Sequence, residues 1–230
     1  MTLDASRAAL ALPSPAPLPV PPGFVDELGR LGVTLTDGQL AQLGDYLARL
    51  LAMNEQMNLT AITDPVSVWT RHGFDALTLL PALRDVGPGG AVIDVGSGGG
   101  VPGIPLAIAR PDLGVTLLEA TQKKAAFLEA VAAAVGLSNV TVVAGRAEQE
   151  ADGPLARSFD VVTARAVAPV RGLLPWTAIF ARPGGRLLFI KGQRAAQELT
   201  EAKGALKQWR CQHQETLDTP TGKVVVLQVG

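Results

Sequence analysis

From residue 36 onward, apolar side chains recur at intervals of three and four: Leu40, Leu43, Leu47, Leu50 and Leu51 are followed by Asn54, the spacing of one helix face. Thr36 and Gln39 stand just ahead with the spacing of a capping box, in which each side chain satisfies a backbone N–H of the other residue. A helix is expected there. Pro65 and Pro81 bracket a second helix carrying Trp69, Arg71, His72 and Asp75, since proline suits a first helical turn and disfavours helix in the residue before it. Arg71 and Asp75 would then lie one turn apart.

The period changes after Pro81. Short apolar runs, AVIDV (91–95), VTLLE (115–119), NVTVV (139–143), FDVVTA (159–164) and GRLLFIK (185–191), alternate with longer helical stretches such as TQKKAAFLEAVAAAVG (121–136) and one starting at Arg171. This alternation predicts βαβ crossovers and a parallel sheet. Two further runs, from Trp209 and from Lys223, flank TPTG and read as a closing antiparallel hairpin. The expected architecture is α/β: a Rossmann-like, mostly parallel sheet over 86–230 with a C-terminal hairpin, preceded by a small helical subdomain at 23–85. Residues 11–22, ALPSPAPLPVPP, hold six of the seventeen prolines and no charge, so 1–22 reads as a disordered leader.

Composition narrows the function. At 230 residues the chain is long enough for one large domain with an appendage. A net charge of −1 rules out nucleic-acid binding by overall charge, so any such partner must meet a local patch. From Arg165 to Arg210 nine Lys or Arg stand against Glu198 and Glu201, which marks a candidate face. Lys191 and Arg194, at a strand's C-terminal end, are its best members, whereas Lys203 and Lys207 read equally as solvated helix charges. The single Cys211 excludes disulfide frameworks, Cys-rich zinc sites and paired-thiol chemistry, and no metal is expected. No apolar run is long enough for a bilayer and no basic n-region opens the chain, so a soluble cytoplasmic protein is expected.

The richest chemistry lies in AVIDVGSGGGVPGIPLAI, 91–108: a strand ending near Asp94, a loop with Gly96, Gly98 and Gly100, and a helix entered through Pro105. Glycines let a ligand approach the backbone, and the following helix start offers free N–H groups. Glu119 ends the next strand, where a carboxylate can accept from both hydroxyls of a ribose. NAD and S-adenosylmethionine share these features. The pattern D-x-G-x-G-x-G from Asp94 and the terminal hairpin together resemble class I methyltransferases. No Asn-Pro-Pro or Asp-Pro-Pro motif supports exocyclic amine chemistry, and one cysteine argues against pyrimidine C5 chemistry. Guanine N7, with its in-plane lone pair, needs no general base.

Seven ordered segments, NLTAI (58–62), RHGFD (71–75), DVGSGGGVPGIPLAI (94–108), LLEATQKKAAFLE (117–129), GRAE (145–148), TARAVAP (163–169) and KG (191–192), resemble the bacterial glucose-inhibited division protein B family of 16S ribosomal RNA guanine-N7 methyltransferases. The resemblance spans about residues 24–229 and implies a target in the 530 loop of the small subunit. By position it implies that Asp94, Gly96, Gly98, Gly100 and Val101 border the methionine and adenosine side of S-adenosylmethionine. Glu119, Ala120 and Thr121 would hold its ribose, Ala147 and Glu148 would border its adenine, and Arg165 would lie in the pocket and position substrate. Arg71, His72, Lys123, Lys124, Lys191 and Arg194 are the candidate RNA contacts. Arg71 and His72 read equally as a helix-surface pair with Asp75, and ordinary first-turn exposure is the alternative for Lys123 and Lys124. The chain departs from the family pattern at Ala76, where Ser is usual, and at Thr221, Gly222 and Lys223, where an Arg-His pair is usual.

The substrate would be 16S RNA, naked or within small subunits, the protein is expected to be a monomer, and no membrane partner is expected. Two rivals stand beside this reading. One is a nicotinamide-dependent dehydrogenase, for which only His72 and His213 offer themselves near hydride chemistry. The other is an RNA-binding ribosome assembly factor that keeps a vestigial cofactor fold.

Overall fold

The computed structural model describes residues 10–165 and 168–230. Residues 1–9 of the leader, and two positions of the TARAVAP segment, lie outside the described residues. The chain opens with α1 (Phe24–Arg30) and α2 (Asp37–Met57), and α2 starts at the expected capping box: Thr36 Oγ1 accepts from Gln39 N while Gln39 Oε1 accepts from Thr36 N. The segment after Pro65 is not the single regular helix expected. It runs from α3 (Pro65–Val68) through a π-helical turn (Trp69–Phe74) into α4 (Asp75–Leu77), and Pro81 lies inside a 3₁₀ turn (Leu80–Leu83). A π turn inserts an extra residue into the helical register, and such turns gather at functional sites.

The remainder alternates as expected: β1 (Ala91–Val95), α5 (Gly103–Ala109), β2 (Gly114–Glu119), α6 (Gln122–Ala134), β3 (Val140–Ala144), α7 (Ala147–Glu150), β4 (Phe159–Arg165), α8 (Val170–Thr177), β5 (Ala181–Lys191), α9 (Ala195–Glu201), α10 (Lys203–Gln208), β6 (Cys211–Thr219) and β7 (Gly222–Val229). The sheet order is β3-β2-β1-β4-β5-β7-β6; β1 to β5 pair in parallel, and β7 runs antiparallel to both β5 and β6. Helix α5 begins at Gly103, two residues before Pro105.

Alternate strand residues point to opposite faces and so feed two cores. Val92, Leu117, Val161, Leu188 and Val224 pack on one side, and Ile93, Leu118, Val162, Leu187 and Val225 on the other. The first core also contains Leu43, Leu47, Trp69 and Phe74, so the N-terminal helices have no separate core and form the layer covering that face of the sheet. The proline-rich stretch likewise differs from a loose leader over its described part. Leu18 N donates to Gly44 O at 3.1 Å, Arg49 Nη1 donates to Pro13 O at 3.0 Å, and Leu10, Leu12 and Leu18 pack on the core. Gly44 permits the approach, because a Cβ there would stand 2.5 Å from Leu18 O. An extended chain has no internal hydrogen bonds and is held here by the apolar side chains between its prolines.

Candidate functional site

The site is built on the C-terminal ends of β1, β2, β4 and β5, where open α/β sheets place their ligands. Leaving β1, the chain passes through Gly96, Gly98 and Gly100 at φ of 75°, 56° and 98°. These left-handed values favour glycine, and at Gly100 a Cβ would also stand 2.7 Å from Ile104 Cγ1. Asp94 supports the loop from beneath. It is 1% exposed, its Oδ2 accepts from Gly103 N at 3.2 Å, and its Oδ1 accepts from Thr163 Oγ1 at 3.1 Å. Burial pushes its carboxyl up to about 6 against the pull of those hydrogen bonds. The expected cofactor contact at Asp94 is therefore a buried strut, because both its oxygens turn inward. Tyr46 on α2, unremarked in the sequence, donates to Gly99 O at 2.8 Å and ties the helical layer to the loop.

Glu119 closes the loop from β2: Oε2 accepts from Gly98 N at 2.8 Å and Oε1 from Thr121 N at 2.7 Å. A carboxylate oxygen has two lone pairs, so each retains one for a ligand hydroxyl. Beside it lies a cavity of ≈ 220 Å³ lined by Gly96, Ala120, Ala147 and Glu148, and also by Leu173 and Trp176 of α8. Whole-ligand pockets run to roughly 300–1,000 Å³, so this one suits part of a ligand, with an apolar and aromatic wall for a flat ring.

A second cavity of ≈ 140 Å³ sits over the loop, lined by Thr60, His72, Gly96, Gly98, Val101 and Arg165 among others. Its wall is one hydrogen-bonded chain. Arg165 Nη2 lies 3.0 Å from His72 Nδ1, and His72 Nε2 lies 2.7 Å from Thr60 Oγ1. A guanidinium only donates, so Nδ1 is the acceptor and the ring hydrogen sits on Nε2, donating to Thr60. Burial, with help from Arg165, pushes His72 down to about 4. The RNA contact expected at His72 is thus corrected: the ring is 3% exposed and neutral near pH 7, so it cannot pair with a phosphate.

That depressed value has a stability consequence. Between pH 6.5 and 4 an unfolded chain protonates this histidine and the native one does not, so its contribution is present above 6.5 and lost as pH falls toward 4. The stability advantage of the parent chain over His72→Gln should shrink by about 3 kcal/mol between pH 7 and pH 4 in urea unfolding. An unchanged difference would mean that the ring titrates freely.

A third cavity of ≈ 380 Å³ is lined by Arg71, Asp75, Arg165, Pro169, Lys191 and Thr221 among others. Arg71 is 48% exposed, donates through Nη1 to Thr221 O at 3.0 Å and lies 3.5 Å from Asp75 Oδ2. Lys191 is not the open phosphate contact expected. Its ammonium is buried against Glu198 at 2.8 Å and donates to Ala168 O at 2.6 Å, which braces Ala168 just ahead of α8. Arg194 is exposed with a bond to Gln197, while Lys123 is exposed and Lys124 half-buried in the first turn of α6; none of the three lines these cavities. Of the departures from the family pattern, Ala76 is fully buried, Thr221 lines the third cavity, and Lys223 pairs with Asp218 on the hairpin.

Leu173, Trp176 and Tyr46 were missed because they reach the site only through packing. His213 lies on the outermost strand, bonded to Thr216, and offers nothing to the loop. The antiparallel β7 inserted between β5 and β6 also departs from the parallel order of dinucleotide-binding sheets, which removes the dehydrogenase reading.

Comparison with known proteins agrees with this geometry. The family described as rRNA small subunit methyltransferase G matches residues 39–223. A ribosomal RNA small subunit methyltransferase G of Sorangium cellulosum is 59% identical over 222 residues, covering 96% of this chain and 93% of that one. A protein of the same name from Caldanaerobacter subterraneus is 38% identical, covering 85% and 81%. Among solved structures, a ribosomal protein L11 methylase from Lactobacillus delbrueckii has a TM-score of 0.53 at 19% identity, covering 68% of this chain and 77% of that one. A mutant of MtNAS in complex with S-adenosylmethionine has a TM-score of 0.55 at 17% identity, covering 90% and 76%. The structural likenesses bear on the fold; the sequence matches, which run through the glycine loop, Glu119 and Arg165, place this chain in the rRNA small subunit methyltransferase G family.

Proposed function

We propose that the chain methylates N7 of a guanine in the 530 loop of 16S ribosomal RNA, with S-adenosylmethionine as donor, acting as a cytoplasmic monomer. The adjacency of the three cavities, which share lining residues, carries this reading. Gly96 lines both the first and the second, and Arg165 lines both the second and the third. A nucleotide-like donor and a flat polar acceptor can thus meet at one point. Among the described residues no helix is long and apolar enough to cross a membrane.

The residues present fit the donor. The glycine backbone is open to close approach, Glu119 keeps lone pairs for two ribose hydroxyls, and Ala147, Glu148 and Trp176 wall the adenine. When bound, S-adenosylmethionine supplies a methyl group on a positively charged sulfur. Guanine N7 carries a lone pair and no proton, so no side chain has to remove one; alignment and tolerance of a cationic product are what the protein must provide. Two of the five donors of Arg165 serve Arg71 O and His72, and the others, without a partner among the described residues, can hold the acceptor base. Arg71, Arg194 and Lys123 would meet backbone phosphates and set register without reading sequence.

The test offers small-subunit RNA lacking the modification, naked and as subunits, with labelled donor, then maps 7-methylguanine by borohydride and aniline cleavage. One cleavage in the 530 loop is expected, and the better substrate reveals how much ribosomal protein is needed. Cofactor binding without incorporation into either form would move the assignment to the assembly-factor reading.

A further inference from the structure

Asp75 lines the third cavity, is 2% exposed, and its Oδ1 is buried with no hydrogen-bond partner among the described residues. Leaving a buried carboxylate oxygen unpaired is costly, and such an atom calls for an explanation. The Thr221 hydroxyl lowers the pKa of this carboxyl as a hydrogen-bonding neighbour, but neither it nor the nearby cations give Oδ1 a hydrogen bond. Arg71 faces the other oxygen, Oδ2, and donates to Thr221 O; Arg165 serves Arg71 O and His72; Lys191 serves Glu198 and Ala168 O. The missing partner is a donor, and the cavity that Asp75 shares with Arg165 is where the acceptor base would sit.

We infer that the Asp75 carboxylate reads the target base, accepting hydrogen bonds from N1–H and the N2 amino group of guanine. The inference rests on the function proposed above. Guanine alone among the four bases presents two adjacent donors on one edge, the pattern that a carboxylate accepts through both its oxygens. Those donors lie on the opposite side of the purine from N7, so a base held by Asp75 leaves N7 free to face the donor. Methylation at N7 gives the ring a positive charge that polarises N1–H and the amino group. The hydrogen bonds to Asp75 therefore strengthen as the methyl group arrives, and an interaction stronger in the transition state than in the ground state accelerates the reaction. Burial raises the Asp75 carboxyl above the usual range, while Thr221, Arg71 and Arg165 pull it back.

The experiment uses 16S RNA, joined from synthetic pieces, with guanosine or inosine at the target; inosine lacks only the N2 amino group. With the parent protein, kcat/KM should fall about tenfold or more on inosine, the scale of one lost hydrogen bond to a charged group. Asp75→Asn should slow transfer to guanosine and bring the guanosine-to-inosine ratio close to one, with S-adenosylmethionine affinity and melting temperature serving as folding controls. A purely structural role would slow both substrates equally and leave the ratio unchanged. Equal rates of the parent on the two substrates, or an unchanged ratio in a folded Asp75→Asn chain, would overturn the inference. The parent arm decides the matter even if the variant does not fold. A parent that makes no 7-methylguanine on the guanosine RNA would instead overturn the proposed function itself, and this inference with it.

Discussion

Gly98→Asp should abolish binding of S-adenosylmethionine while leaving the protein folded. Gly98 sits at φ +56°, and a Cβ built there meets nothing closer than Gly96 O at 3.9 Å, so the new side chain has room in the protein and projects into the space over the loop. The left-handed region is one that aspartate tolerates better than most residues. The damage falls on the ligand. Gly98 N donates to Glu119 Oε2 at 2.8 Å, so the substitution brings a second carboxylate close to Glu119 and into the path of the ligand's own carboxylate, where like charges at short range repel. The dissociation constant should rise more than about a hundredfold, which is about 2.8 kcal/mol, with a modest loss of melting temperature. Titration calorimetry reads it directly. Affinity within a few-fold of the parent would remove this loop from the cofactor site.

Arg165→Ala should lower kcat/KM for methyl transfer by about 10²–10³, the scale of losing one preorganised donor beside a reacting group. Arg165 ends β4, donates through Nη1 to Arg71 O at 2.5 Å and meets His72 Nδ1 through Nη2 at 3.0 Å. Those two bonds fix the plane of the guanidinium, so its remaining N–H groups arrive at the junction of two cavities already oriented. Burial draws its pKa down, yet a guanidinium remains charged at any working pH. Arg165→Lys should recover little. An ammonium cannot bridge Arg71 O and His72 while also presenting a planar donor pair to a base. S-adenosylmethionine affinity should change much less than turnover in both variants. Full activity in the Lys variant would show that charge alone matters there.

Much of the fold was legible because its determinants are local. The capping box at Thr36 and Gln39 closes within one turn, the strand periods of 91–95 and 115–119 are set by neighbours, and the glycine loop needs only its own φ angles. Glu119 was legible for the same reason: a strand end next to that loop can point nowhere else. The boundary at residue 85 was not, since Trp69 and Val92 share one core although composition changes between them. Charge counting misled at Lys191, and the segment resemblance did so at His72. A sequence shows which groups can ionise, but burial decides whether they face water, and here Glu198 and Arg165 hold them inside.

By itself the sequence determined the alternation of strand and helix, the conformation of the glycine loop, the family and the side chains available for chemistry. Only the tertiary structure decided which of them meet. It turned Asp94 inward as a strut, brought Tyr46 onto Gly99 and Trp176 to the wall of the first cavity, linked Thr60 to Arg165 through His72, and left one oxygen of Asp75 without a partner among the described residues. The physical reason is range. Backbone dihedrals and periodicity are set by residues a few positions apart, whereas desolvation and hydrogen bonding depend on neighbours brought together across about a hundred residues of chain.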